Sequence, residues 1–135
     1  MANKRRMISS AITESDAFTK LSLRAQALYF HLNIEGADDD GIVGAPLRIM
    51  RSIGANRKDL RDLVEGGFLL EFESGRVAVK HWMINNSIRR DRYTPSTFSE
   101  ERDLLKVKPE NRAYTLNGDG ITLGRFLLEE RWGTK

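Results

Sequence analysis

The chain has 135 residues, of which 40% are hydrophobic and 30% charged, with a net charge of +3 and no cysteine. This length predicts one domain with a hydrophobic core, and the lack of thiols excludes disulfides and thiolate metal sites. No apolar run reaches membrane-spanning length and no signal-peptide pattern is present, so we expect a cytoplasmic protein without a membrane partner.

The basic excess lies entirely in residues 1–92, where 15 Lys and Arg stand against 12 Asp and Glu. Residues 93–135 contain 7 residues of each sign. A surface that binds a polyanion is therefore expected in the first of these two segments.

The first strong helical pattern begins at Ser22, a typical N-cap residue, and ends near Asn33, before the turn-forming run 38–41. A shorter helix opened by Ser15 is expected ahead of it. Residues 42–43, between two glycines, predict one very short strand. The helix is predicted to place the following residues on its apolar face: Leu23, Ala27, Leu28, Phe30, Leu32 and Ile34.

Two more helices are predicted before residue 68. Pro46 suits the first position of the second helix, and Gly54 suits its end. Asn56 is expected to cap the third helix, which ends at the glycine pair 66–67. The inward-facing residues are predicted to be Leu47, Ile49, Met50 and Ile53 on the second helix and Leu60, Leu63 and Val64 on the third.

After residue 67 the apolar period changes to two, which predicts strands at 68–72 and 77–80 joined by a Ser74-Gly75 turn. This order of elements is typical of a winged helix-turn-helix: helix, strand, helix, turn, helix and hairpin. Each element is too small to bury its apolar face alone, so the elements are expected to pack as one unit. We therefore predict an α+β fold: a winged helix-turn-helix, with a three-helix core and a β-hairpin wing, over residues 1–92. A partly helical C-terminal extension follows over 93–135, with helices near 98–107 and 121–132.

The third helix is the predicted recognition helix, with Arg57, Lys58 and Arg61 in its first turns. Cations at this end oppose the helix dipole at a cost of about 0.3–1 kcal/mol each, which favours a DNA-contacting role over a role in stability. Asp62 and Glu65 on the same face indicate contacts made mainly to phosphates. An ordinary solvated face of mixed charge is the alternative.

Further candidate DNA contacts are Arg76 on the wing and, after it, Lys80, Arg89, Arg90 and Arg92. Arg76 also suits an ordinary surface turn, and the last three arginines also suit solvation or an acidic partner. Trp82 and Ile84 are predicted to close the core. The basic run 4–6 suits either a minor-groove arm or a solvated tail.

Nothing in the sequence predicts an enzyme, a catalytic residue, a cofactor or a metal site. The acidic run 38–40 matches no calcium loop and suits a loop after a helix. His31 and His81, the only two histidines, are expected to be structural.

Several runs resemble the N-terminal domain of bacteriophage replisome organisers, which is related to the DnaD-type primosomal winged helix. They are FTKLSLRAQALYFHL (18–32), DDDGIV (38–43), IGAN (53–56) and, within 68–101, FESGRVAVKHW and IRRDRYTPS. The resemblance implies a winged helix that binds origin DNA, self-associates and initiates phage DNA replication in the cytoplasm of a bacterial host cell.

Longer members of that family continue into a region that engages the replicative helicase or its loader, which the run GDGITLGRFLLEERWGTK (118–135) does not match. A short stand-alone variant and a piece of a longer protein both stay open. Two other functions also stay open. One is a winged helix for protein assembly, presenting residues 98–105 or 126–132 to a partner or a second copy, and the other is a phage transcriptional repressor.

Overall fold

Each of the first three helices begins after a serine. Its side chain accepts a hydrogen bond from a backbone N–H that has no carbonyl partner within the helix. Ser9, Ser15 and Ser22 each accept a hydrogen bond from a backbone N–H in the first turn of the helix that follows. In the computed structural model, which describes residues 5–133, these helices are α1 (Ser10–Thr13), α2 (Asp16–Thr19) and α3 (Leu23–His31). A π-helical turn, Leu32–Gly36, continues α3. The predicted caps Ser15 and Ser22 are confirmed, whereas α1 was not predicted.

Strand β1 (Ile42–Val43) leads into α4 (Pro46–Ile53) and α5 (Arg57–Glu65). Pro46 lies at the start of α4, and Gly54 ends the helix in the left-handed conformation at φ 77°, which glycine adopts without steric cost. Asn56 caps α5. The predicted bounds of both helices are confirmed because caps and stops act within a single turn of chain.

The hairpin consists of β2 (Leu69–Glu71) and β3 (Val77–Val79), and β1 pairs with the other edge of β3. All pairs are antiparallel, and the sheet order is β1-β3-β2. Gly75 turns the chain at φ 92°. Val77, Ala78 and Val79 are all buried, so both faces of the central strand are covered.

The core of this part forms where α3 packs against α4 and α5, and where α5 packs against β2. Phe18, Tyr29 and Phe68 meet edge to face, with ring centroids 5.2 Å apart for Phe18–Tyr29 and 5.4 Å for Phe18–Phe68. Such pairs add stability beyond the burial of their area. Trp82 is also buried, as predicted.

Several apolar residues predicted to face inward are exposed. Leu28 and Leu32 are buried as predicted, but Leu23 is 82% exposed and Ile34 50%. The buried stripe is turned toward Ala25 and Tyr29, which were not predicted to face inward. That stripe has helical spacing too, and the pattern alone does not choose between the two. Leu47 and Ile84, likewise predicted inward, are also among the exposed large apolar residues.

After β3 the chain forms α6 (Trp82–Asn85), a 3-10 turn (Arg90–Arg92) and α7 (Ser99–Leu104). A second antiparallel sheet follows, with order β5-β4-β6. Its strands and the last helix are β4 (Lys106–Val107), β5 (Tyr114–Thr115), β6 (Ile121–Thr122) and α8 (Leu123–Phe126), which a π-helical turn, Leu127–Arg131, continues.

The helices predicted at 98–107 and 121–132 are therefore only partly correct. Residues 106–107 and 121–122 form strands, because β4 pairs with both β5 and β6. These pairings join residues distant in sequence, and local periodicity does not reveal them.

The C-terminal part shares one hydrophobic core with residues 1–92. Six of its side chains lie in the same buried cluster as Trp82 and Tyr29, namely Leu105, Val107, Tyr114, Leu123, Phe126 and Leu127. The backbone N–H of Tyr114 also donates to the carbonyl of Lys80, with an N–O distance of 2.9 Å. Among residues 5–133, no helix has both the length and the apolar composition needed to cross a bilayer.

Candidate nucleic-acid interface

The start of α5 is held in place by a buried acid. The side chain of Asn56 accepts from the backbone N–H of Asp59, and Asp59 Oδ2 accepts from the backbone N–H of Asn56 at 2.9 Å. The same oxygen accepts from Arg24 Nε of α3 at 2.7 Å. Asp59 is only 2% exposed, so its charge is used inside the fold and does not neutralise the outer face of α5.

The outer face of α5 carries the three predicted basic residues. Arg57, Lys58 and Arg61 are all exposed, which confirms their outward orientation, while their contact with DNA stays a prediction. Lys58 Nζ lies 2.9 Å from Asp62 Oδ2, one turn further along. Arg57 and Arg61 line a shallow cleft of about 300 Å³ together with Glu71 of β2.

Helix α4 adds two arginines that the sequence analysis missed. Arg48 and Arg51 are exposed, whereas Pro46 and Met50 are buried. Arg48 and Arg51 are three residues apart, on the side of α4 opposite its apolar stripe. This spacing in the sequence indicates a basic face.

Four guanidinium groups on α4 and α5 are therefore free to meet an anion. These groups belong to Arg48, Arg51, Arg57 and Arg61. Within residues 5–133, none of them has an acidic oxygen within 4.0 Å. Exposed and unpaired cations on neighbouring helices create a positive potential that attracts a polyanion.

Arg76, the predicted wing contact, is not free. Its Nη1 lies 2.8 Å from Glu101 Oε2 of α7, and the same oxygen accepts from Ser74 Oγ at 2.7 Å. The guanidinium carbon also lies 4.3 Å from the ring centroid of Phe98. These contacts stabilise the charged carboxylate, and the hydrogen bond from Ser74, followed by that from Arg76, lowers the pKa of Glu101. Arg76 is therefore paired with a residue 25 positions away, and its contact with DNA stays a prediction.

Lys80, also a candidate contact, lies where the two sheets meet. Its backbone N–H donates to the carbonyl of Phe68 at 3.2 Å, and its carbonyl accepts from Tyr114. The residue is half-buried.

The remaining candidates, Arg89, Arg90 and Arg92, are exposed in and beside the 3-10 turn. Arg89 Nη2 pairs with Asp91 Oδ2 at 3.0 Å. The guanidinium of Arg90 lies 5.8 Å from the ring centroid of Trp132. The C-terminal part therefore contacts Arg90 through Trp132. Contact of Arg89, Arg90 and Arg92 with DNA stays a prediction.

Arg5 and Arg6 of the basic run 4–6 have different environments in the structure. Lys4 lies outside the described residues, and Arg5 is exposed. The Arg6 side chain is only 6% exposed, because its Nη1 pairs with Asp39 Oδ1 at 2.9 Å and its guanidinium lies 5.2 Å from the Trp82 ring centroid. A minor-groove arm that includes Arg6 is therefore wrong.

The acidic run 38–40 forms a loop after a helix, as predicted, and also joins the two parts of the chain. Asp40 is fully buried. Its carboxylate accepts from the Tyr93 hydroxyl at 2.5 Å, from the backbone N–H of Ser96 at 2.9 Å and from Arg102 Nε at 2.9 Å. Burial, followed by the bond to Asp40, raises the pKa of Tyr93. These bonds fix the segment that leads into α7.

The segments named as possible assembly surfaces are partly buried. Leu105 in the first segment and Phe126 and Leu127 in the second are buried, while Leu104 and Leu128 are exposed. Part of the apolar surface of both segments therefore contributes to the shared core, and a role in assembly stays a prediction.

Two features of the described residues stand out among the candidate contacts: the unpaired arginines of α4 and α5, and the hairpin turn held by Glu101. The chain matches no protein-family model, no curated protein and no solved structure.

Proposed function

We propose that this chain is a DNA-binding module built on a winged helix-turn-helix. In this proposal α3, α4 and α5 are the three core helices, α4 and α5 form the helix-turn-helix, and the β2–β3 hairpin is the wing. The order of these elements, the glycine-ended turn between α4 and α5 and the sheet order β1-β3-β2 support it.

The observation that carries the proposal is the set of unpaired arginines on the helix-turn-helix. Arg57 and Arg61 lie in the first turns of α5, the end of a recognition helix that reaches base edges in the major groove. Arg48 and Arg51 lie on α4, the helix that crosses the phosphate backbone in such complexes. Both helices of the proposed helix-turn-helix thus offer cations to the phosphates of a duplex.

Binding is proposed to depend mainly on phosphates. Lys58 is already paired with Asp62, and Glu65 is exposed on the same helix, so α5 offers few charges for reading bases. Four phosphate contacts correspond to a slope of about −3.6 for log affinity against log salt concentration. Modest affinity with strong salt dependence is therefore expected.

The test is a fluorescence anisotropy titration of labelled duplex and single-stranded oligonucleotides at about 50 and 200 mM salt. Wild-type protein is expected to bind the duplex with strong salt dependence. The double variant R57A/R61A should lose about two units of that slope and most of the affinity, because it removes two phosphate contacts.

The matched control is R125A, since Arg125 is an exposed arginine that pairs with Glu129 on α8. It is expected to bind like the wild type, and thermal unfolding checks that all variants are folded. Salt-independent or undetectable binding by wild-type protein contradicts the proposal, as does an equal loss in R125A and R57A/R61A.

We propose further that the module serves replication initiation in a bacteriophage, on the resemblance of residues 18–101 to replisome organisers. Its partners would then be origin DNA, a second copy of the chain and the replicative helicase or its loader. To test this role, the protein is incubated with fragments of the genome that encodes it, and the fragments that it retains are sequenced. Enrichment of a replication origin supports it, and enrichment of promoter operators supports a repressor instead.

A further inference from the structure

Two side chains of the hairpin turn bind the carboxylate of Glu101. The hydroxyl of Ser74 and the guanidinium of Arg76 converge on a single oxygen, Glu101 Oε2, at 2.7 and 2.8 Å. Two donors directed at one negatively charged oxygen match the way proteins hold a phosphate oxygen as well as a carboxylate oxygen.

The site is only partly satisfied by its resident carboxylate. Arg76 Nε is buried and has no hydrogen-bond partner among residues 5–133. A guanidinium binds anions best through two parallel N–H bonds, whereas Glu101 accepts from Arg76 only at Nη1. A phosphate group presents more oxygens than Glu101 offers here.

Arg76 faces Arg48 of α4 across an open groove. The two arginines line this groove, of about 740 Å³, together with Ser52, Phe98 and one acidic residue, Glu35. A phosphate backbone lying along this groove would pass Arg48 and then the hairpin turn. The groove therefore connects the anion site to the surface proposed above for DNA.

Glu101 is well placed to keep this site occupied. It is 6% exposed, and its neighbour Arg102 pairs with the fully buried Asp40 at 2.9 Å. Helix α7 is thus anchored at Arg102, while Glu101 reaches the hairpin turn.

We propose that Glu101 is an internal competitor of DNA, occupying a phosphate site formed by Ser74 and Arg76 and keeping the wing from contributing to binding. The inference rests on the proposed function, because the ligand that Glu101 displaces is the phosphate backbone of DNA. In the resting protein only α4 and α5 bind the duplex. Release of Glu101 adds the wing contact.

The test compares E101Q with E100Q in duplex titrations at about 50 and 200 mM salt. Glu100 is exposed and adjacent in sequence, so both variants remove the same charge and only E101Q removes the charge that pairs with Arg76. E101Q is expected to bind more tightly than E100Q at low salt. Over this salt range it should lose about three- to fourfold more affinity, because one added phosphate contact steepens the salt slope by about 0.9.

The double variant E101Q/R76Q assigns the gain to the wing and is expected to return to the affinity of E100Q. If thermal unfolding shows that E101Q does not fold, E101D serves instead. Its carboxylate is one methylene shorter, which weakens the contact with Ser74 and Arg76 at constant charge, and the same direction of change is expected.

The outcomes separate this inference from the proposed function. Equal affinities of E101Q and E100Q, or a gain that persists in E101Q/R76Q, overturn the inference while wild-type binding through α4 and α5 still stands. Binding by E101Q when wild-type protein does not bind supports competition by Glu101 and overturns the proposal that α4 and α5 bind the duplex without the wing. Absence of DNA binding in both proteins overturns both proposals.

Discussion

Individual charged residues in this protein differ mainly in whether the fold uses them. Arg6, Arg76 and Arg102 all have acidic partners with low exposure, at distances of 2.8–2.9 Å. Arg57 and Arg61 have no such partner in the described part of the chain. An ion pair neutralises the charge of the first three arginines, whereas the charge of Arg57 and Arg61 stays available to an external anion.

At the residue scale, His81 is expected to make the free energy of unfolding depend on pH. Burial, followed by the charge of Lys80, lowers the pKa of His81 below its ordinary 6.5. The unfolded chain therefore binds a proton that the folded chain does not, and the free energy of unfolding decreases as pH falls through 6.5.

We expect the midpoint of urea unfolding to decrease between pH 7.5 and 5.5 in wild-type protein and to change less in H81Q. The control is H31Q, because His31 is the only other histidine and it lies partly exposed beside Glu35. If H31Q loses the pH dependence and H81Q keeps it, the assignment to His81 is wrong.

At the scale of elements, α4 and α5 are positioned by caps and stops, one of which also binds a neighbouring helix. Asp59 acts twice, in the capping box of α5 and as the partner of Arg24 on α3. It therefore fixes where α5 begins and how its first turn lies against α3. The orientation of Arg57 and Arg61 depends on this contact.

D59A is expected to reduce the free energy of unfolding by roughly 1–3 kcal/mol, because it removes a helix cap and leaves Arg24 without its partner. D62A on the same helix is the matched control. Its pair with Lys58 is largely exposed, so a loss below about 0.5 kcal/mol is expected. Urea unfolding measures both, and equal losses would show that Asp59 has no special role.

At the scale of the whole molecule, the C-terminal part completes the core and binds the turn of the β2–β3 hairpin. The cluster around Trp82 includes side chains from β4, β5 and α8, and the buried carboxylate of Asp40 obtains its partners from residues 93–102. Removing these residues would expose apolar surface and leave a buried charge unpaired, both of which are destabilising.

We therefore expect residues 1–92 alone not to fold cooperatively, whereas the full chain does. Circular dichroism during heating, together with the dispersion of amide resonances in an NMR spectrum, distinguishes the two cases. A sharp thermal transition with dispersed resonances for the 1–92 fragment would mean that the C-terminal part is dispensable for the core.

The sequence by itself determined the features that depend on a few adjacent residues. Ser22, Pro46, Gly54 and Asn56 marked helix ends correctly, and the Ser74-Gly75 turn marked the hairpin, because capping and turn conformations are satisfied within one turn of chain. The outward direction of Arg57 and Arg61 followed from the same local periodicity.

Only the tertiary structure decided which of two helical stripes of α3 faces the core, how β4 pairs with β5 and β6, and which arginines are neutralised. Arg76 meets Glu101 across 25 positions and Arg6 meets Asp39 across 33. Such pairs depend on how the chain packs, and no local pattern encodes them. The four arginines of α4 and α5 stay free because no acidic oxygen of residues 5–133 lies within 4.0 Å of them.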